Sequence, residues 1–180
     1  LDVISWDSYP AFHNDYESFS DTLGENAFDH AVMRSMKKDR PFMLMESAPG
    51  LVNWHPYNKI KRPGVHQLAS LQAVALGSDT VQYFQWRKGR GSFEQYHGAV
   101  VDHLGTNDTR VFKEVAELGE TLKKLSDVQG SVQGQTDPQD AGTEPECGAY
   151  HTTSCGAFSY ETVSSGNRLF CGRAKTRILS

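Results

Sequence analysis

One glutamate, Glu46, stands where parallel α/β enzymes commonly carry a catalytic carboxylate. It comes directly after the apolar run 41–45, Pro-Phe-Met-Leu-Met, whose lack of alternation is typical of a strand buried on both faces. Catalytic groups of such enzymes lie at the carboxyl ends of the strands. Position alone leaves open the alternative that Glu46 is a solvated loop carboxylate, so further residues must decide.

Aromatic residues crowd the predicted strand ends and loops around Glu46. Asp, Glu, Asn and His residues stand beside them in the sequence. Apolar faces of sugars stack on flat rings while sugar hydroxyls bond to polar groups, so this combination favours a carbohydrate site. The aromatic residues concerned are Trp6, Tyr9, Trp54, Tyr83, Phe84, Trp86 and Tyr96.

Other patterns that could carry chemistry are incomplete. Glu94 and His97 have the spacing of a helical metal pair, but a two-metal carboxylate centre needs a second such pair and two more glutamates. Asp102 and His103 occur without a GxSxG serine elbow, so structural hydrogen bonding is the simpler interpretation. The cysteines form no CxxC pair: Cys147, Cys155 and Cys171. We therefore predict no metal site and no cofactor.

Three strands and three helices are predicted to position these groups. The strands are expected at Leu1–Ser5, Pro41–Met45 and Thr80–Trp86, and glutamines on the third strand indicate a polar site nearby. The order strand, helix, strand is typical of β-α units around a parallel sheet. The helices are expected at about 26–38, 63–77 and 108–125, with apolar stripes Phe28, Ala31, Val32, Met36; Val65, Leu68, Leu71, Ala75; and Val111, Val115, Leu118, Leu122, Leu125.

Composition narrows the class of protein. The chain has 180 residues with 38% hydrophobic and 22% charged residues, which is typical of a globular domain. Its net charge of -4 and dispersed basic residues argue against a nucleic-acid partner. No apolar run approaches the roughly 20 residues that span a bilayer, and the first residues do not resemble a secretory signal, so we predict no membrane partner and a cytoplasmic location.

The last quarter of the chain differs in composition from the rest. Beyond about Ser131, Gly, Ser, Thr, Asp, Pro and Gln replace the apolar periodicity. We predict one domain over residues 1–131 and an irregular tail over 132–180, unstructured or frame-shifted in origin, with a flexible natural extension as the alternative.

A series of long motifs occurs in residues 1 to about 130. It includes Ser5-Trp6-Asp7-Ser8-Tyr9-Pro10, Met45-Glu46-Ser47-Ala48-Pro49-Gly50, Val52-Asn53-Trp54, Lys61-Arg62-Pro63-Gly64, the run 70–79, Gln82-Tyr83-Phe84-Gln85-Trp86-Arg87 and the run 94–103. This series resembles glycoside hydrolase family 42, the β-galactosidases. The resemblance implies a partial (β/α)8 barrel, roughly strands 6 to 8 with their helices.

The resemblance also implies roles for individual residues. Glu46 is expected to be the nucleophile of a retaining mechanism. Tyr9 is expected to bond near it, Trp54 to pack against galactose, and Glu94 and His97 to bind sugar hydroxyls. The substrate would be a galactoside such as lactose, no diffusible cofactor would be needed, and the parent protein would be a homo-oligomer, a trimer by resemblance.

One part of the family pattern is missing from the sequence. The family's acid/base glutamate follows an asparagine, and this chain contains no Asn-Glu pair. We expect that residue to lie upstream of Leu1, so that this chain is an inactive fragment. The alternatives are a non-catalytic galactoside-binding remnant and a fragment of a sister barrel glycosidase with another sugar preference.

Overall fold

The computed structural model describes residues 2–37 and 39–132 with their side chains, and the backbone of residues 158–163 and 166–171. The chain divides into two units, Leu1–Val132 and Gln133–Ser180.

A parallel sheet forms the centre of the first unit. Its strands are β1 (Ser5–Ser8), β2 (Phe42–Ser47) and β3 (Ser78–Val81), and β2 lies between the other two. Helix α1 (Phe19–Ser35) connects β1 to β2, helix α2 (Val65–Ala75) connects β2 to β3, and helix α3 (Arg110–Lys124) follows. The predicted α/β class with a parallel sheet is confirmed. Because the strands are parallel, their carboxyl ends meet at one edge of the sheet.

The outer strands differ from their predicted positions. The first strand is β1 at Ser5–Ser8, where Trp6 pairs with Leu44 and Asp7 with Glu46. Before it, the Ile4 carbonyl accepts from the Met43 amide at 2.9 Å, but residues 2–4 are not part of the strand and Val3 is 38% exposed, so the apolar sequence placed the predicted strand too early in the chain. β3 ends at Val81, and Gln82 beyond it is exposed, so the prediction of a buried polar strand as far as Trp86 is wrong.

Helix α1 begins earlier than predicted and buries a different face. It starts at Phe19 behind a capping box in which Ser18 and Asp21 bond reciprocally. Its buried residues are Thr22, Asn26 and His30, whereas Met36 of the predicted apolar stripe is 57% exposed. The expected stripe is therefore wrong, because the inner face of this helix consists of polar residues, with Asn26 held by hydrogen bonds and the His30 ring packed against Trp6 and Phe42.

A chain of hydrogen bonds joins α1 to the sheet and to α2. The Ser8 hydroxyl donates to the Asn26 side-chain oxygen at 2.7 Å. The Asn26 amide nitrogen donates to the Gln72 side-chain oxygen at 2.9 Å, and Gln72 in turn donates to the carbonyl of Leu23 at 3.0 Å. Burial of these polar groups is tolerated because each finds a partner.

The two later helices lie close to their predicted positions. Gly77 follows α2 with φ of 100°, as expected for a left-handed cap. α2 buries Val65 and Ala73, but Leu68 of its predicted stripe is 46% exposed. α3 starts behind Thr109, whose side chain accepts from the Phe112 amide, and buries the central residue of its predicted stripe, Leu118.

Most of the chain between β3 and α3 lacks regular structure. The Phe84–Gln85 peptide bond is cis, and a single parallel bridge pairs Arg87 with Val101. A short 3₁₀ helix covers Phe93–Tyr96.

The second unit contains two strands where the sequence analysis expects none. β4 (Phe158–Val163) pairs antiparallel with β5 (Gly166–Cys171). β4 is short and rich in aromatic and β-branched residues, a strand signal that the polar composition around it obscured, whereas β5 has only Phe170 of these types. The side chains of all three cysteines lie outside the described residues.

Among the described residues, no helix combines the length and the apolar character needed to cross a membrane.

Candidate active site

Glu46 and Tyr9 meet at the carboxyl edge of the sheet. Glu46 lies near the end of β2, and Tyr9 follows β1 directly. The Tyr9 hydroxyl donates a hydrogen bond to Glu46 Oε2 at 2.7 Å. Burial, followed by the hydrogen bond to Glu46 and the charge of that carboxylate, raises the pKa of Tyr9 well above its ordinary value. The phenol therefore keeps its proton and serves as a fixed donor to the carboxylate.

The ring of Tyr9 gathers the other predicted site residues. It lies edge-on to Trp54, with centroids 5.4 Å apart, and edge-on to His97 at 6.0 Å. His97 in turn lies edge-on to Phe84 at 4.9 Å. The loops after β1, β2 and β3 therefore contribute to one group of rings beside Glu46. Trp54 is 54% exposed, so its indole is open to a ligand.

His97 is held rigidly although it lies outside any helix or strand. Its side chain is 1% exposed, and Nδ1 donates to the Gly98 carbonyl at 3.0 Å. The Gly98 amide donates to the Leu51 carbonyl at 2.8 Å. A Cβ on Gly98 would overlap the Leu51 carbonyl oxygen and approach the Leu51 nitrogen to 2.7 Å, so the two backbones meet this closely only with glycine.

Glu94 occupies a more open position than the other predicted residues. It lies in the 3₁₀ helix and is exposed, and its negative charge is close enough to contribute to the raised pKa of Tyr9. Asn53 donates from its side chain to the Phe93 carbonyl, which ties this helix to the loop that carries Trp54. The structure therefore brings Tyr9, Glu46, Trp54 and His97 together by direct contacts, and Glu94 by proximity.

Sequence reasoning gave no role to Asp7, which lies beside Glu46. The two residues are partners in the parallel register of β1 and β2, next to an irregularity between Trp6 and Asp7. Burial, and then the negative charge of Glu46, raise the pKa of Asp7. The position of Asp7 two residues before Tyr9 at a strand end was the available signal.

Lys61 is a second residue whose position the sequence did not reveal. Its side chain lies behind the strand end, where Nζ donates to the carbonyl of Ala48, two residues after Glu46. Burial lowers the pKa of Lys61 to about 8. The Lys61 amide also donates to the Gly50 carbonyl at 3.1 Å, so this residue fixes both ends of the turn that follows the carboxylate.

A metal ion has no evident place in this geometry. Within the described part of the chain, no group of three or more His, Cys, Asp or Glu side chains is arranged to hold one. What the site offers is a carboxylate with a phenol donor, a buried imidazole and an open indole, which suits an uncharged polar ligand with an apolar face.

Comparisons with known proteins agree with this chemistry. A family model described as β-galactosidase, that of glycoside hydrolase family 42, matches residues 1–125. β-Galactosidase GalA of Bacillus licheniformis is 57% identical over 132 residues, which cover 73% of this chain and 20% of that relative. β-Galactosidase Pbg of Clostridium perfringens is 56% identical over 132 residues, which cover 73% of this chain and 19% of that relative. The chain thus spans about one fifth of the length of the curated relatives it matches.

Solved structures of β-galactosidases also superpose on this chain. Gan42B, a family 42 β-galactosidase from G. stearothermophilus, superposes with a TM-score of 0.73 at 57% identity, covering 74% of this chain and 19% of that chain. A cold-adapted β-galactosidase from Rahnella sp. R3 superposes with a TM-score of 0.71 at 56% identity, covering 73% of this chain and 19% of that chain. On the family model, the identities and the shared fold, the chain belongs to glycoside hydrolase family 42, the β-galactosidases.

Proposed function

We propose that this chain is part of the catalytic barrel of a retaining β-galactosidase, with Glu46 as the nucleophile. The observation that carries the proposal is the contact between Tyr9 and Glu46 at the carboxyl edge of a parallel sheet, in a chain of this family. The three consecutive β-α units correspond, in this proposal, to strands 6 to 8 of a (β/α)8 barrel.

In the proposed reaction, Glu46 attacks the anomeric carbon of a terminal β-galactoside such as lactose. The bond to the aglycone oxygen breaks as a galactosyl ester forms on Glu46, and water later cleaves that ester with overall retention. Tyr9 orients the attacking carboxylate through its hydroxyl. Trp54 provides the ring on which the galactose face packs, and His97 and Glu94 bind its hydroxyls.

The departing oxygen needs a proton, and this chain does not supply the donor. Retaining glycosidases use a second carboxyl group about 5 to 5.5 Å from the nucleophile for this purpose. The sequence contains no Asn-Glu pair that would correspond to the family's donor. Asp7 lies in β1 as the register partner of Glu46, but it matches no donor motif. We place the acid/base outside these 180 residues, and the whole protein is expected to assemble as a homotrimer.

A galactoside with a good leaving group separates the nucleophile from the acid/base. We expect an activated 2-deoxy-2-fluoro-galactoside to label Glu46 covalently, because its leaving group departs without a proton. Mass spectrometry of the peptide that contains Glu46 would locate the adduct, and Glu46→Gln should remain unlabelled. Rapid lactose hydrolysis by the isolated chain that is lost in Glu46→Gln would refute the missing acid/base.

A second candidate function is galactoside binding without turnover. The open Trp54 ring beside an ordered carboxylate favours it, since both could hold a sugar without an acid/base. Galactose titrations that follow indole fluorescence would test it. Binding lost in Trp54→Ala, together with no label on Glu46, would support the binding module over the enzyme fragment.

A further inference from the structure

A small polar cavity lies behind the strand end that carries Glu46. It has a volume of about 20 Å³ and is lined by residues of β1, β2, α1 and α2, together with Pro10, Ala48 and Lys61. To hold one water molecule, a cavity needs a volume of roughly 10 to 15 Å³, measured in the same way, and two to four polar partners. The size of this cavity therefore fits a single water, and its polar groups decide whether one is bound.

The first polar group is the ring of His30. Its side chain is 1% exposed, and burial lowers its pKa to about 4, so the ring is neutral at pH 7. Asn26 accepts from Ser8 with its side-chain oxygen, so its amide nitrogen is the atom that faces His30 Nε2 at 3.2 Å and donates to it. The single ring proton of His30 is then on Nδ1. That atom is buried and has no hydrogen-bond partner among the described residues.

The second polar group is the ring of His66. It is 2% exposed, and burial, followed by the charge of Lys61, lowers its pKa to about 4. Its Nε2 lies 3.0 Å from the Tyr83 hydroxyl, whose pKa is raised to about 12 by burial. Tyr83 keeps its proton, and where it donates that proton to Nε2 the proton of the His66 ring lies on Nδ1. This Nδ1 atom is also buried without a partner among the residues the structure describes.

Two buried hydroxyl groups that line the cavity supply acceptors. Ser8 already donates to Asn26, and Ser70 already donates to the His66 carbonyl at 2.8 Å. Each hydroxyl oxygen still has a lone pair available. Two N–H donors and two oxygen acceptors match the two lone pairs and two protons of one water molecule.

We propose that the cavity holds one ordered water, which accepts hydrogen bonds from Nδ1 of His30 and Nδ1 of His66 and donates to the hydroxyl oxygens of Ser8 and Ser70. The water joins β1, α1 and α2 behind the strand that carries the carboxylate. A buried imidazole N–H without a partner is costly, so the water stabilises the packing of both helices. The site does not depend on the proposed enzymatic function.

A cavity-filling substitution distinguishes a bound water from an empty space. Ala69 lines the cavity from α2, and Ala69→Val would displace a water. We expect its unfolding temperature to fall by about 5 °C more than that of Ala116→Val, an exposed helical control for the β-branched residue. An unfolding temperature of Ala69→Val equal to or above that of Ala116→Val would mean that the added methyl groups displace no bound molecule, and that result would overturn the proposal.

A second measurement needs no substitution. Nuclear magnetic resonance of the ¹⁵N-labelled 180-residue chain should show the neutral Nδ1–H tautomer for the rings of His30 and His66 at pH 7. Both Nδ1–H protons should show nuclear Overhauser contacts to water. A crystal structure should contain one water within hydrogen-bond distance of both Nδ1 atoms. Absence of a water contact at both rings would refute the proposal even if Ala69→Val does not fold.

Discussion

At the scale of single residues, the surroundings of Tyr9 and Glu46 decide which of the two donates the hydrogen bond between them. Burial keeps the proton on the phenol, so only Tyr9 can donate and Glu46 must accept. Asp7 lies on the neighbouring strand, and the negative charges of Asp7 and Glu46 repel each other. A fixed hydrogen-bond donor to Glu46 therefore stabilises a carboxylate that its neighbour destabilises. The hydrogen bond therefore holds the Glu46 carboxylate in one orientation, as the proposed role of nucleophile requires.

Removal of the Tyr9 hydroxyl should slow the reaction of Glu46. A hydrogen bond to a charged group is worth about 1.5 to 3 kcal/mol, so Tyr9→Phe should reduce the rate of covalent labelling by the fluoro-galactoside roughly ten- to hundredfold. Tyr57→Phe, which alters an exposed tyrosine, serves as the control. Equal labelling rates in the two variants, measured by mass spectrometry over time, would mean that Tyr9 does not orient Glu46.

The buried cation of Lys61 should make stability depend on pH. Its pKa is about 8 in the folded chain and about 10.4 in an unfolded one, so the unfolded state binds more protons between these values. The free energy of unfolding should therefore rise from about pH 8 to about pH 10, by roughly 3 kcal/mol at most. Urea unfolding at several pH values would measure the rise. In Lys61→Met it should disappear, since the titrating group is gone, and an unchanged pH profile in that variant would contradict the assignment.

At the scale of elements, the close approach of residues 51 and 98 fixes the position of His97. Gly98→Ala should push the two backbones apart and move His97 away from Tyr9 and Phe84. We expect a loss of about 1 to 3 kcal/mol in stability, measured by denaturant unfolding, together with weaker sugar binding. Gly91→Ala is the matched control, because a Cβ there meets nothing within 4 Å. Equal stability of the two variants would show that residues 51 and 98 can separate without cost.

Helix α1 offers a stabilising prediction. Gly24 lies in its interior, and an added Cβ would meet no atom within 4 Å. Gly24→Ala should increase the free energy of unfolding by about 0.5 to 1 kcal/mol, because alanine loses less backbone entropy in a helix. Thermal unfolding followed by circular dichroism would detect the rise. A decrease would indicate that α1 is not formed over this stretch.

The sequence predicted those elements whose apolar pattern matches their burial. Helix α3 was found because Leu118 lies where the periodicity places it. The strand at 42–45 was found from its apolar run, but the expectation that both of its faces are buried is wrong, because Met45 is 39% exposed while Phe42 and Leu44 are buried. Helix α1 was misplaced because its inner face consists of Thr22, Asn26 and His30, which periodicity analysis assigns to solvent. Hydrogen-bond partners that are distant in sequence cannot be found from spacing.

The candidate site was predictable to the extent that motifs carried it. Glu46 stood out through its position after an apolar strand, and the contact with Tyr9 agrees with the place expected for that residue. Asp7 and Lys61 were missed because their importance depends on strand register and burial, which a single sequence does not provide. The roles of Trp54, Glu94 and His97 in binding sugar stay predictions.

At the scale of the whole molecule, the described residues leave apolar surface and strand edges uncovered. Among them, β1 and β3 each pair with β2 and with no other strand. The segment between β3 and α3 exposes large apolar side chains, namely Trp86, Phe93, Tyr96 and Leu104. Unpaired edges and exposed apolar groups favour association.

We therefore expect the isolated chain to self-associate at micromolar concentration. The double variant Phe93→Ser, Leu104→Ser should weaken association more than Tyr16→Ser, which removes an exposed ring from a different segment. Sedimentation velocity over a concentration series would measure this. A monomer at every concentration would contradict the expectation.

The hydrogen-bond chain from Ser8 through Asn26 to Gln72 has an evolutionary consequence. These side-chain hydrogen bonds fix the rotation of α1 about its axis. If one of the three residues changes to an apolar type, the buried polar groups of the remaining residues lose a hydrogen-bond partner. Across relatives, these three positions should be inherited and replaced as a set, and an aligned family in which each drifts independently would argue that the helix is held by something else.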